Sequence, residues 1–162
     1  GKKLLFMGGE FAQEKEWNEN STLDWHLLQQ PEHQAIHRWV KALNHLYQQH
    51  PALHQQDALA QGFSWVNHTD ADLSIFSYQR HGSAGQRLLA ICNMTPIPRD
   101  TYYLPFAETQ GHWQLVLNSD DSAFGGQHSA VQNTLYAHGQ QTPCTLPSLC
   151  TLIYEWHPHH TS

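Results

Sequence analysis

The sequence is poor in charged residues and has no basic cluster. Asp, Glu, Lys and Arg make up 14% of the 162 residues, and the formal net charge is -6 at pH 7. Nucleic-acid binding relies on clustered Lys and Arg side chains that neutralise phosphates. We therefore expect no nucleic-acid partner.

Long apolar runs are also absent. No stretch reaches the roughly 18 apolar residues that indicate a membrane-spanning helix, and the apolar block in GKKLLFMGGEF is shorter than a signal peptide requires. We expect no membrane partner and a cytoplasmic location.

Cysteine is scarce, and the three cysteines show no CxxC spacing. The three residues are Cys92, Cys144 and Cys150, and an odd number leaves one without a disulfide partner in the chain. We therefore expect reduced thiols that are buried as small apolar side chains. The motifs GxSxG and HExxH and a phosphate-binding glycine loop are missing as well. We expect no cofactor.

Histidine is abundant, with fourteen residues. His157, His159 and His160 lie in a terminal HPHH segment without the Cys or carboxylate spacing of a metal site. We interpret this segment as a solvated tail and expect no metal site, with a histidine-rich metal protein as the alternative.

The first half of the chain predicts a strand, a loop and a helix. Residues 2–8, KKLLFMG, form a short apolar run before Gly8 and Gly9, which is typical of a strand buried on both faces. Residues 10–30 have no periodicity and predict a loop. Pro31 then favours the first turn of a helix, and Pro51 disfavours its continuation beyond His50.

That helix should have one apolar face. Ile36, Val40, Leu43 and Tyr47 recur at helical spacing, with further apolar side chains beside them. Such a face requires a packing partner.

The second half predicts short strands separated by turns. Six β-rich runs begin at residues 63, 72, 86, 101, 113 and 148. The HGSAG segment predicts a hairpin between the second and third runs, and Pro96 and Pro98 mark the exit from the third. The pattern predicts a mainly β fold, an antiparallel β-sandwich of Greek-key type. We divide the chain into residues 1–54 and 55–162.

The predicted loop carries five carboxylates and two tryptophans. Cleavage of a glycosidic bond needs two carboxylates facing each other across a sugar, and five acids in one loop do not fix such a geometry. The acids are Glu10, Glu14, Glu16, Glu19 and Asp24. A solvated loop is the alternative interpretation for Glu14, Glu16 and Glu19. Glu10 differs, because it directly follows the predicted strand and its two glycines.

If residues 2–8 were a barrel strand, Glu10 would lie at its carboxyl end, where barrel enzymes collect their active-site residues. Trp17 and Trp25 would lie on the loop beside it and could stack on sugar rings. Core packing is the alternative for both tryptophans. The residues alone therefore predict half of a carbohydrate site.

These segments resemble the bacterial 1,4-α-glucan branching enzymes of the α-amylase superfamily. KKLLFMGGEFAQEKEWNENSTLDWHLL resembles their last (β/α)8-barrel strand and the loop after it, and HRWVKALNHLYQQHPAL resembles the last barrel helix. ICNMTPIPRDTYYLP, WQLVLNSDDSAFGG and LPSLCTLIYEW resemble pieces of the C-terminal β-sandwich. Residues 1–54 are thus interpreted as a barrel remnant.

The resemblance implies a retaining transfer of an α-1,4-glucan segment to a 6-hydroxyl. The family uses an Asp nucleophile, a Glu acid/base and a second Asp on barrel strands that precede the similar region, so we assign no catalytic residue here. We expect the chain alone to be inactive. The implied substrate-binding residues are Glu10, Trp17 and Trp25. Gly9 stands where the family has Asn, which loosens the strand end.

The implied partners are α-glucans such as glycogen and amylose, and the catalytic barrel of the same polypeptide. We also expect self-association through the exposed barrel remnant. Two alternatives for the sandwich stay open, a glucan-binding module and a purely structural domain. The first would use aromatic residues in its strands and loops, namely Trp65, Trp113, Trp156, Tyr102 and Tyr103.

Overall fold

One helix and two antiparallel sheets form three layers in the computed structural model, which describes residues 3–67 and 73–158. Helix α1 spans Pro31–Gln49. The strands are β1 Phe63–Asn67, β2 Ile75–His81, β3 Arg87–Asn93, β4 Arg99–Pro105, β5 His112–Asn118, β6 Thr134–Tyr136, β7 Gln141–Leu146 and β8 Cys150–His157. Lys2 of the predicted strand, Asp72 of the second β-rich run, and His159 and His160 of the tail lie outside the described residues.

The two sheets enclose the main core. Six strands pair in the order β1-β2-β3-β8-β5-β6, and β4 pairs with β7. The inner face of the larger sheet contributes Leu89, Trp113 and Tyr154, which pack with Leu104 and Leu146 of the smaller sheet. Because β8 lies between β3 and β5, the connections cross as they do in Greek-key sandwiches. The predicted mainly β antiparallel sandwich is confirmed.

All six predicted runs contain a strand, but the sequence analysis missed β6 and β7. β6 has only three residues, which is too short for an alternation pattern to stand out. β7 contains Pro143, which argues against a central strand. Pro143 is tolerated because β7 belongs to a two-stranded sheet, where it lies opposite Tyr103.

Helix α1 agrees with its predicted bounds and packs on the outer face of the larger sheet. Pro31 occupies its first turn, and the helix ends just before Pro51. Leu43 and Leu46 pack against the cluster that contains Leu88 and Ile153. This cluster covers only one side of the predicted apolar face. Ile36 and Tyr47, which also belong to the predicted apolar face, remain exposed.

The predicted N-terminal strand is wrong for the residues that the structure describes. Lys3 to Phe6 have no regular secondary structure, and Leu4 is 90% exposed. No described strand pairs with this segment, so its backbone groups lack the ladder partners that a strand requires. Lys3 Nζ instead donates to an Asp57 carboxylate oxygen at 2.7 Å.

The connection between β3 and β4 is held by one buried side chain. Asn93 is fully buried, and its Nδ2 donates to the carbonyl oxygens of Ile97 and Pro147, both at 2.9 Å. Its Oδ1 accepts from the Thr95 backbone N–H and hydroxyl. The prolines at 96 and 98 lie in this connection, as predicted.

The cysteines are buried and unpaired, which confirms their predicted burial. Burial raises the pKa of the Cys144 and Cys150 thiols to about 12. A thiol with such a pKa is protonated at neutral pH, so these side chains are packing groups rather than nucleophiles.

Candidate functional site

The predicted loop of residues 10–30, which we call the acid-rich loop, is anchored by a buried phenylalanine. A 3-10 turn spans Gly9–Phe11, and Phe11 is fully buried. The backbone oxygen of Phe11 accepts a hydrogen bond from His33 Nδ1 at 2.8 Å. The Trp25 ring lies 5.2 Å from the Phe11 ring. The loop is therefore fixed against the first turn of α1.

Gln13 holds the two ends of the loop together. Its backbone N–H donates to the Gly8 oxygen at 2.9 Å, and its Oε1 accepts from the Asp24 N–H at 2.9 Å. Gly8 has φ 84°, and a Cβ there would lie 2.8 Å from Gln13 Cβ, so a side chain would be strained and crowded. The sequence analysis missed Gln13 and His33, because neither belongs to a motif or a periodic pattern.

Glu10 is half-buried at the start of this loop. It borders a depression of about 260 Å³ whose other wall is the polar side of α1. The remaining lining residues are His37, Val40, Lys41, Asn44, His45 and Gln48. Glu10 therefore faces hydrogen-bonding groups of the helix.

Trp17 borders a different depression. Its ring is 42% exposed and meets the Phe6 ring edge-on, with the centroids 6.0 Å apart. This depression has a volume of about 410 Å³ and is also lined by Gln13 and Glu16. Trp25 is 54% exposed and lines neither depression. The three predicted residues thus lie on one loop but do not share either depression.

Three other loop acids are solvated. Glu14, Glu16 and Glu19 are exposed, and Glu14 Oε1 lies 4.0 Å from His33 Nε2. Such surface pairs contribute little to stability. These positions agree with the solvated-loop interpretation.

Two buried carboxylates elsewhere have structural partners. Burial would raise the pKa of Asp57, but the hydrogen bonds and charges of Lys3 and Arg80 outweigh it and lower the pKa. Burial would also raise the pKa of Asp120, and the backbone N–H groups of Gln127 and Ser129 lower it instead. Both carboxyl groups are ionised at neutral pH, which does not suit a general acid.

Three of the five predicted aromatic side chains of the sandwich pack in its core. Trp113 and Tyr102 are buried, and Trp156 packs beside them. Trp65 and Tyr103 are exposed. Alternation along the strands directs Trp65 away from the core of the larger sheet and Tyr103 away from the core of the smaller one. These two rings therefore lie on opposite faces and form no common platform.

Within the described residues, no three His, Cys, Asp or Glu side chains come close enough together to hold a metal ion. His157 is described and lies beside Glu155, with Nε2 3.7 Å from a carboxylate oxygen. Among the helices that the structure describes, each is too short or too polar to cross a membrane.

Residues 65–157 match the family described as the C-terminal all-beta domain of alpha amylase, and the chain belongs to this family. Along 94% of its length it is 44% identical to the 1,4-alpha-glucan branching enzyme GlgB of Pseudomonas putida. Along 96% it is 45% identical to the GlgB of Novosphingobium aromaticivorans. The resemblance inferred from the motifs is confirmed. The chain spans 22% of the length of each of these two relatives.

Solved structures show the same fold at low sequence identity. The catalytic module of the glycogen-degrading pneumococcal virulence factor SpuA aligns with 83% of this chain and 20% of its own, with a TM-score of 0.57 and 13% identity. An alpha-amylase from H. orenii covers 75% of this chain and 20% of its own, with a TM-score of 0.51 and 16% identity.

Proposed function

We propose that this chain is part of a 1,4-α-glucan branching enzyme that forms α-1,6 branches in glycogen biosynthesis. In this proposal residues 1–54 complete the catalytic barrel and residues 55–162 form the sandwich beside it. The remaining barrel of the same polypeptide is its structural partner. α-Glucans such as glycogen and amylose are the substrates.

The extent of the similarity is the observation that carries this proposal. The match to the branching enzyme of Pseudomonas putida covers 94% of the chain, whereas the all-beta domain accounts for residues 65–157. The similarity therefore includes the acid-rich loop and α1, which a stand-alone sandwich would not need. A cytoplasmic location is part of the proposal, supported by three unpaired buried thiols.

We assign glucan contact to Glu10, Trp17 and Trp25. The exposed Trp17 ring can stack on a sugar, and Gln13 and Glu16 beside it supply hydrogen-bonding groups. Glu10 lies on the same loop, and its carboxyl group can accept a hydrogen bond from a sugar hydroxyl. The loop is anchored through Phe11 and Gln13, so these groups are held in place before a glucan binds.

Co-sedimentation of the 162-residue chain with insoluble amylose tests this assignment. We expect binding that soluble maltoheptaose competes away, and about fivefold weaker binding for Trp17→Ala, since an aromatic contact contributes about 1 kcal/mol. Trp65→Ala is the matched control, because Trp65 is an exposed tryptophan on the sandwich. Equal binding of Trp17→Ala and wild type would refute the loop site, and a loss in Trp65→Ala would move the site to the sandwich.

We further propose that the chain alone has no branching activity. A retaining transfer needs a nucleophile and an acid/base facing each other across the sugar, and the resemblance assigns neither group to this chain. The iodine absorbance of amylose should stay constant during incubation with the purified protein. A fall in absorbance proportional to protein concentration would contradict this expectation.

A further inference from the structure

Four exposed or half-exposed rings form a row across one end of the larger sheet. His157 of β8 lies opposite His112 of β5, and His112 lies opposite Tyr136 of β6. The ring centroids of His157 and His112 are 5.2 Å apart, and those of His112 and Tyr136 are 6.0 Å apart. His138 continues the row at 6.1 Å from Tyr136. We call these four residues the ring row.

A row of polar side chains runs beside the ring row. Glu155, Gln114 and Thr134 are opposite one another on the same three strands, two residues along from the rings. Because side chains two residues apart lie on the same face of a sheet, both rows share one surface. Thr134 Oγ1 donates to Gln114 Oε1 at 3.0 Å. The polar row therefore combines carboxylate, amide and hydroxyl groups.

This surface points away from the sandwich core and lies on the same face of the larger sheet as the helix. The intervening residues Trp113, Leu135 and Trp156 belong to the core, so the ring row projects to the other side. Helix α1 packs further along the sheet, and the residue after it, His50, reaches Glu155 with Nε2 3.2 Å from a carboxylate oxygen.

Tyr136 is 52% exposed and lies next to a shallow depression. This depression has a volume of about 250 Å³ and is bordered by His138, Gln140 and Gln141. Two hydroxyl-bearing threonines, Thr134 and Thr142, complete its polar lining. Amide groups thus flank the end of the ring row as well as its side.

Planar rings beside amide, hydroxyl and carboxylate groups suit a neutral sugar chain, whose C–H faces stack on rings and whose hydroxyls need hydrogen-bonding partners. We propose that the ring row and the polar row form a second glucan-contact surface, separate from the acid-rich loop. That the bound sugar chain is an α-glucan rests on the function proposed above. The surface would hold a polymer chain at a distance from the loop and raise the local glucan concentration.

Two measurements on the whole chain test this inference. In wild type, maltoheptaose should shift the imidazole C–H proton resonances of His112, His138 and His157. In amylose co-sedimentation, Tyr136→Ala should bind about fivefold more weakly than wild type. Tyr103→Ala is the matched control, because Tyr103 is 53% exposed on the opposite sheet, and it should bind as wild type does.

The outcomes separate this inference from the proposed function. Shifted histidine resonances together with the Tyr136→Ala loss support the ring row. Unshifted histidine resonances, with binding that only Trp17→Ala weakens, would overturn the ring row and leave the loop site intact. Absence of any maltoheptaose or amylose binding would contradict both glucan sites. The resonance test uses wild type, so a folding defect in Tyr136→Ala cannot obscure the result.

Discussion

Asp120 organises the long loop between β5 and β6. Its Oδ1 accepts the Gln127 N–H at 3.0 Å, and its Oδ2 accepts the Ser129 N–H at 2.8 Å. The chain passes so close that a Cβ on Gly126 would lie 2.1 Å from the Asp120 backbone oxygen. The SDDSAFGG motif therefore encodes a folded loop, and its acids are structural.

The lowered pKa of Asp120 predicts acid sensitivity. The carboxyl group titrates near its ordinary pKa of 3.8 in the unfolded chain and at a lower pKa in the folded one. Its contribution to the unfolding free energy is therefore complete above the unfolded pKa and is lost as pH falls through the folded pKa. Asp120→Asn should cost about 1 to 3 kcal/mol at pH 7 and lose less stability on acidification than wild type.

Urea unfolding at pH 7 and pH 3 measures both effects. Asp100→Asn is the control, because Asp100 is exposed on β4, and it should behave as wild type at both pH values. If Asp120→Asn matched wild type at pH 7, the structural role of this carboxylate would be refuted. Asp57, with a pKa lowered by Lys3 and Arg80, contributes in the same direction.

At the scale of elements, this loop adds a second contact between α1 and the sandwich, besides the apolar cluster that contains Leu88 and Ile153. Arg38 Nε donates to the Ala123 oxygen at 2.7 Å, and the Trp39 ring packs edge-on against Phe124 at 5.1 Å. Gly125, with φ 79°, lies so close to the helix that a Cβ would be 3.0 Å from Ala35 Cβ. The helix and the sandwich are thus held together by this loop as well as by that apolar cluster.

The sequence predicted the elements whose local signals are strong. Prolines at positions 31 and 51 bracket α1, and β-branched and aromatic runs mark six strands. β7 could not be predicted, because Pro143 is acceptable only on an edge strand. The strand expected at residues 2–8 failed because strand formation depends on a neighbouring strand, which an apolar run alone does not supply.

The candidate site was predictable only in part. Glu10, Trp17 and Trp25 could be named from their chemistry and from their place after an apolar run. The sequence could not predict that Glu10 and Trp17 border separate depressions and that Trp25 borders neither, because this depends on how the loop folds against α1. Gln13 and His33 anchor the loop through one side chain each, and such single contacts leave no periodic signal.

At the scale of the whole molecule, a continuous stretch of large apolar side chains is exposed. Leu4, Leu5, Phe6 and Met7 are all exposed, and Tyr47 of α1 is exposed too. Leu4, Leu5 and Tyr47 border one apolar depression of about 420 Å³. Exposed apolar surface of this kind favours association, so we propose that the isolated chain self-associates.

Sedimentation equilibrium tests this proposal. The weight-average mass of wild type should rise above 18.6 kDa as the protein concentration increases. Leu4→Glu should keep the mass near the monomer value, because a charge would be desolvated in the contact. Leu149→Glu, at an exposed leucine of the sandwich, should associate as wild type does. A monomeric wild type at all concentrations would contradict the proposal.

The position of β8 in the larger sheet also sets the order in which the fold can be completed. Among the strands that the structure describes, β8 comes last in the sequence, yet it supplies the only link between β3 and β5. While the ribosome is still translating the preceding residues, β1–β2–β3 and β5–β6 can exist only as separate hairpin-like pieces with open edges. Closure of the sheet therefore has to wait until β8 has been synthesised, and a polypeptide released before Cys150 would lack its central strand rather than a dispensable edge.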